Sequence, residues 1–517
     1  MAVIDFFDRG WRIDPTAVAY RSDAEAWTYD QAGRMSCRIA NGLLGAGVVR
    51  ETKVAVLAPN APLAWICVLG IWRAGGAWVP LNPNHPVQET AALLERFDVE
   101  LLLYDSSLSD QVDVLRKRLE HVVFIALGHG TEDFDFGSWV AEFSDAPPDI
   151  SYAMDDVVAI APTGGTTGAP KGVMNTHRTL STMVAHQLLA LSYPEGADIV
   201  NLAAAPMTHT AGLLSLQTTA RGGTVVIVPR ATPGHILSAI EDFGVTEVFL
   251  PPTVIYRLLD VLEDRESDTS SLRYLIYGAA PMSVEKLRQG IARLGPVFVE
   301  GYGQMEAPAA ISFLRPMEHL DTGGLLNESR LSSCGRPYPL VSVMVQDPLT
   351  GVETAPGETG EICVRGELVM KGYYRDPERT ADVIRDGWLH TGDLGHLDQD
   401  GYLYLTGRLK DLIITGGFNV YPSEVEQIIW GHPAVEDCAV VGAPDDDWGE
   451  RVTAVVELKP GLSVAADELK LRCREALGPV RAPKDIVFVD RLPRSVNGKV
   501  LKKDVRATFW ADHDRAI

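Results

Sequence analysis

Short runs of β-branched and aliphatic residues alternate with longer amphipathic stretches through most of the chain. Lys53-Val54-Ala55-Val56-Leu57, Leu101-Leu102-Leu103-Tyr104, Val122-Val123-Phe124-Ile125-Ala126 and Thr224-Val225-Val226-Ile227-Val228 are apolar almost throughout. That is the pattern of strands covered on both faces, as in parallel sheets. The alternation predicts layered α/β architecture, in which functional loops leave the carboxyl ends of strands. The most apolar stretch, from Leu63 to Trp72, is too short to span a bilayer and stops at Arg73 and Gly75-Gly76, so it reads as a buried helix.

From about residue 335 the pattern changes to turn-rich β segments, among them Asp347-Pro348-Leu349-Thr350-Gly351 and Thr354-Ala355-Pro356-Gly357 ahead of Glu361-Ile362-Cys363-Val364-Arg365. A small β barrel is the expectation there. The last stretch of roughly 110 residues mixes β runs (Ala439-Val440-Val441, Ala454-Val455-Val456-Glu457-Leu458) with a helical pattern near Ala465–Leu477, which predicts a compact α/β module with its own core.

Composition narrows the class. A chain of 517 residues with 46% apolar content exceeds what one core usually organises, so two domains are expected. Its 46 basic and 69 acidic residues give a net charge of −23, which argues against a general nucleic-acid or anionic-membrane surface. Any phosphate site must then be locally positive. The six cysteines (Cys37, Cys67, Cys334, Cys363, Cys438, Cys473) show no C-x-x-C pair and no zinc-site spacing, and the N-terminus lacks a signal-peptide pattern. A reduced, cytoplasmic chain without a transmembrane segment is expected.

Directly after Val157-Val158-Ala159-Ile160-Ala161 stands the run Thr163-Gly164-Gly165-Thr166-Thr167-Gly168-Ala169-Pro170-Lys171-Gly172. Glycines let backbone N–H groups approach an anion, threonine hydroxyls add donors and lysine adds positive charge, a combination that suits the β- and γ-phosphates of ATP. A flexible turn is the plainer alternative, but ordinary turns rarely carry so many anion donors. No stretch fits G-x-x-x-x-G-K-[ST], and Gly172 follows Lys171 where a Walker loop places its metal-binding hydroxyl.

The run resembles the phosphate loop of the adenylate-forming superfamily, which includes acyl-CoA synthetases, adenylation domains of peptide synthetases and luciferases. Six further segments match in order: Pro206-Met207-Thr208-His209-Thr210-Ala211-Gly212, Gly301-Tyr302-Gly303-Gln304-Met305-Glu306, Gly387 to Gly395, Gly407-Arg408-Leu409-Lys410-Asp411, Gly416 to Pro422, and Pro493 to Lys499. Any one is weak; the ordered set, spanning about residues 25 to 505, is specific.

The resemblance implies a role for each matching position beside its own chemistry. Tyr302 offers a flat face for adenine, with Gly303 easing approach and Gly278-Ala279-Ala280 on the other side; a core tyrosine is the alternative. Glu306 is a hard oxygen ligand for Mg²⁺, or else a surface glutamate. Met305 precedes it where most relatives have threonine, so it cannot donate the usual hydrogen bond near the α-phosphate, and Gly164 stands where serine is common. Asp393 is suited to accept from both ribose hydroxyls, and Arg408 to contact the ribose and phosphates. Lys499 is implied to bridge the substrate carboxylate and the α-phosphate. His209 borders the acyl pocket, although a lone histidine in an apolar region is more often a core residue.

On this resemblance the chain divides into an adenylation domain, 1–409, and a mobile C-terminal domain, 410–517, with the hinge at Lys410. Rotation would replace Lys499 by Gly416 and Gly417, whose lack of side chains lets a pantetheine arm pass. The implied function is ATP-dependent, AMP-forming activation of a hydrophobic carboxylic acid to an acyl-adenylate and then an acyl-CoA thioester, using ATP, Mg²⁺ and coenzyme A. The alternatives are a ligase that hands acyl-AMP to a carrier protein or partner enzyme, and a nucleotide-binding regulatory protein that has lost catalysis. A homodimer is compatible with the sequence, and the identity of the acid is not legible in it.

Overall fold

The computed structural model describes residues 1–128, 136–163, 170–494 and 500–511, with the backbone alone at 209 and 210. Two large sheets dominate the N-terminal part. In the seven-stranded sheet the order is Gly372–Tyr373, Lys171–Thr176, Val157–Thr163, Ala77–Pro80, Lys53–Leu57, Leu101–Asp105, Val123–Leu127. The last five run parallel, as their unbroken apolar runs require, and Lys171–Thr176 turns back antiparallel on Val157–Thr163.

The nine-stranded sheet places Arg336–Pro337, Ala307–Leu314, Phe298–Gln304, Tyr274–Gly278, Glu247–Phe249, Val200–Ala203, Thr224–Ile227, Val18–Arg21 and Ala26–Thr28 side by side. Its central strands are parallel, and Ala307–Leu314 closes an antiparallel hairpin on Phe298–Gln304.

Helix Pro62–Arg73 is buried along its whole length, as its apolar run predicts. Pro62 opens it at a position where no N–H is needed. Trp65 and Trp72 meet edge to face at 5.5 Å, and full burial of such side chains supplies about 2–3 kcal/mol apiece. Arg73, which the sequence marks as the end of the apolar run, is itself buried: Nη2 reaches Asp8 Oδ1 at 2.6 Å and Nε donates to Ser36 at 3.1 Å.

The β segments after 335 form a five-stranded antiparallel sheet of Val341–Gln346, Gly360–Gly366, Trp388–Leu397 and Ile384–Arg385, with Leu403–Arg408 also on Trp388–Leu397. The expected small barrel is thus an open half-barrel. A one-turn 3₁₀ segment, Leu409–Asp411, then leads to a separate sheet of Ile413–Thr415, Phe418–Val420, Gly449–Leu458, Val435–Asp445 and Asp485–Val489, with its own core around Val425, Val440 and Val456. The helix expected near 465–477 runs Ala466–Arg481, broken at Gly478 (φ +80°) ahead of Pro479, which cannot continue it. Six cysteines are buried and unpaired. Among the described residues no helix is long and apolar enough to cross a membrane.

Candidate active site

The glycine-rich run connects strands Val157–Thr163 and Lys171–Thr176, which pair antiparallel. Thr163 and Lys171 face each other across its last rung, while Gly164, Gly165, Thr166, Thr167 and Gly168 lie outside the described residues. Lys171 Nζ lies 4.6 Å from the ring centre of Tyr373. The Tyr373 hydroxyl donates to Glu306 Oε1 at 2.7 Å. One buried phenol therefore ties the lysine after the phosphate loop to the carboxylate expected to hold magnesium. Among the described residues no hydrogen bond is made by Glu306 Oε2, which leaves a hard oxygen at the place where a Mg²⁺ ligand is required. Met305 is half-buried against the core and brings no polar atom but its thioether.

The adenine-side residues sit where two parallel strands end. Gly278 and Gly301 are partners across the sheet, and a Cβ on Gly278 would stand 2.3 Å from the Gly301 carbonyl. Gly303 is crowded in the same way, 2.5 Å from the Ala309 nitrogen. The glycines are therefore demanded by strand and hairpin packing before any ligand arrives. Ala279 turns through φ +63°, a left-handed conformation uncommon for a non-glycine residue, and is exposed with Ala280 beside it. Tyr302 keeps 6% of its surface, and its hydroxyl donates to Asp393 Oδ2 at 2.9 Å. Burial beside that carboxylate drives its pKa well above the usual phenol value.

Asp393 is buried and also receives Arg408 Nε at 3.0 Å on Oδ1. A phenol from the nine-stranded sheet and a guanidinium from the half-barrel thus aim one carboxylate. Lys410 adds charge next door: desolvation lowers its pKa, with repulsion from Arg408 and Lys171 opposed by Asp411 and Asp393. Lys171, Arg408 and Lys410 thus stand among the carboxylates of Glu306, Asp393 and Asp411.

The segment Met207–Ala211 is a single π-helical turn, a form frequent at functional sites, and it leads into Gly212–Thr219. Asn60 holds it: Oδ1 accepts from Met207 N–H at 2.8 Å, while Nδ2 donates to the Ala205 and Val228 carbonyls. Gly212 is required because a Cβ would enter the Trp65 ring at 2.2 Å. The His209 side chain lies outside the described residues. Lys499 does too; Arg494 and Val500, on either side of 495–499, pair in an isolated antiparallel bridge. Gly416 (φ +55°) and Gly417 (φ +82°) form an exposed turn on the C-terminal module; Gly416 is pressed on Trp448, and Gly417 faces open space.

Residues 7–374 match the model of the AMP-binding enzyme family, and residues 424–499 match the AMP-binding enzyme C-terminal domain. The chain belongs to the adenylate-forming superfamily. A feruloyl-CoA synthase of an Amycolatopsis species is 38% identical over 96% of this chain and 97% of its own. A medium/long-chain-fatty-acid–CoA ligase of Mycobacterium tuberculosis is 37% identical over 92% of this chain and 80% of its own. The crystal structure of ATP-bound MatB from Rhodopseudomonas palustris superposes with a TM-score of 0.89 at 31% identity, covering 100% of both chains. This AMP-forming acid–thiol ligase therefore carries its family's layered domain, half-barrel and C-terminal module. Sequence reasoning missed Tyr373, Glu361 and Asn60, whose partners lie far away in sequence; no motif marks them.

Proposed function

We propose that the protein activates a hydrophobic carboxylic acid with ATP and passes the acyl group to coenzyme A. The observation that carries this reading is the joining of Asp393, Arg408 and Tyr302 beside Lys171 and Glu306, a set with places for ribose, phosphate and metal. Asp393 accepts from the ribose hydroxyls, Arg408 and Lys171 hold the phosphates, and Ala279 and Ala280 border the base with Gly278. Glu306, with Tyr373 on one oxygen, would hold Mg²⁺, which would screen the triphosphate charge.

Both reactants are anions, so these residues work by positioning and charge neutralisation rather than proton transfer. The carboxylate oxygen attacks the α-phosphorus, the bond to pyrophosphate breaks, and Lys499 steadies the charge gathering between them. The thiol then attacks the acyl carbon, loses its proton, and AMP leaves with the former carboxylate oxygen. The 410–517 module turns about Lys410 between the steps and brings Gly416 and Gly417 to the thiol's path. His209, within the Met207–Ala211 turn, borders the acyl pocket.

The test is pyrophosphate release with Mg-ATP and a panel of fatty, aryl and alicyclic acids, with and without CoA, products identified by mass. Acyl-CoA from one class of acid is the expected product. Acyl-AMP alone would move the second step to a carrier protein or partner enzyme, and nucleotide binding with no turnover on any acid would contradict the proposal.

A further inference from the structure

Asp393 owes its direction to a bulge. Cys363 pairs with His390 and Glu361 with Leu394, so the single residue Ile362 faces three residues, Thr391, Gly392 and Asp393. Two extra residues leave the ladder, and bulges of this kind re-aim side chains next to active sites. The cost is backbone N–H groups that lose their strand partners, and buried groups of that kind must be satisfied some other way.

Side chains satisfy them here. Glu361, only 5% exposed, accepts the Gly392 N–H on Oε1 at 3.1 Å and the His390 Nδ1–H on Oε2 at 2.8 Å. A carboxylate can only accept, so Nδ1 is the protonated nitrogen of that ring. Gln346 Nε2 at 3.3 Å and Cys363 Sγ at 3.6 Å crowd the same nitrogen. Thr391 Oγ1 donates to the Ile362 carbonyl at 2.7 Å and accepts the Asp393 N–H at 3.1 Å. Gly392 turns through φ +70° between these anchors. The carboxylate thus grips the bulge at its middle residue and at its leading flank, one and three residues before Asp393.

We propose that Glu361 is a positioning residue for nucleotide recognition: by holding His390 and Gly392 it fixes the bulge that presents Asp393 to the ribose. This rests on the reading of Asp393 as the ribose ligand. The residue touches no substrate; removing it lets the bulge relax toward regular pairing and turns Asp393 away, while Lys171, Arg408 and the base-side glycines stay in place.

The experiment is direct binding by calorimetry of ATP, 2′-deoxy-ATP and 3′-deoxy-ATP to the full chain and to Glu361→Gln, Glu361→Ala, Asp393→Ala and the Glu361→Ala/Asp393→Ala pair. The wild type should prefer ATP over either deoxy analogue by roughly tenfold or more, the size of a hydrogen bond to a charged group. Glu361→Ala should bring that preference to within about twofold, and adding it to Asp393→Ala should change little more, as expected for residues acting through one contact. Glu361→Gln keeps the packing and one acceptor, loses the other, and should fall between, so a folding failure of the alanine variant does not decide the matter. Full ribose preference in both Glu361 variants, with Asp393→Ala abolishing it, overturns the proposal. Full preference in Asp393→Ala itself overturns the ribose reading beneath it.

Discussion

The nucleotide half of the site and the glycine turn of the C-terminal module differ in how they are held. Asp393 is buried between Tyr302 and Arg408, and behind it Glu361 and Thr391 satisfy the bulged backbone. Gly416 and Gly417 stand in water, with Ile414, Phe418 and Trp448 exposed around them. Among the described residues the module meets the large domain through few polar contacts: Gln427 accepts from Val284 N–H at 3.3 Å and donates to the Met282 carbonyl at 3.0 Å, and Ser423 donates to the Thr406 carbonyl. The first region is wired for one geometry before ligand arrives. The second is exposed and lightly held, as the proposed turn of the module between two successive reactions requires.

The largest expected effect breaks the first reaction alone. Lys499→Ala should lower pyrophosphate release by about 10²- to 10³-fold, the usual cost of a removed preorganised charge, with the melting temperature unchanged. Supplied acyl-adenylate should still be converted to thioester, because the glycine turn is untouched. Gly417→Val should do the reverse. Its side chain would project into open space while straining the left-handed backbone there (φ +82°), so adenylate formation should continue while thioester release falls by about 10²-fold, a size typical of a blocked or misplaced reactant. Product mass with and without CoA reads both.

A variant away from both regions sharpens the comparison by touching folding only. His177 is buried, its Nδ1 accepts the Val3 N–H at 3.1 Å, and burial depresses its pKa to about 4, against Asp156, with the N-terminus and Arg50 adding repulsion. The unfolded chain takes up this proton near pH 6.5 and the folded chain only near 4, so stability is lost as pH falls through that window, by up to about 3 kcal/mol. Denaturant unfolding of His177→Gln should show a flatter pH dependence there, with substrate preference unchanged at pH 7.

The smallest effect concerns the metal side. Tyr373→Phe keeps the ring beside Lys171 and removes the donor to Glu306, worth about 1 kcal/mol, so the Mg²⁺ concentration giving half-maximal ATP binding should rise about fivefold. Tyr373→Leu should cost more, because it also removes the cation–ring contact.

The legibility of the sequence divides along the same line. Unbroken apolar runs announced the parallel strands, since a strand buried on both faces has no polar positions to spare. Lys171, Glu306, Asp393 and Arg408 were legible because each lies in a local motif. Glu361 and Tyr373 were not: their partners are 31 and 67 residues away, and neither motif spacing nor periodicity carries a bond made across the fold. Gly278 and Gly303 suggested ligand access, yet the neighbouring strand already demands them. The small β unit after 335 was legible from its turn-rich segments, but not its half-barrel form, because such segments look alike whether their sheet closes or stays open.

The central claim is that a carboxylate attacks the α-phosphorus of ATP and leaves its oxygen on AMP. An accepted acid labelled with ¹⁸O in both carboxyl oxygens, turned over with Mg-ATP and CoA, tests this at the atom concerned. AMP carrying one ¹⁸O, with unlabelled pyrophosphate, is the expected result. Label in inorganic phosphate with ADP as the nucleotide product, or unlabelled AMP, would contradict it.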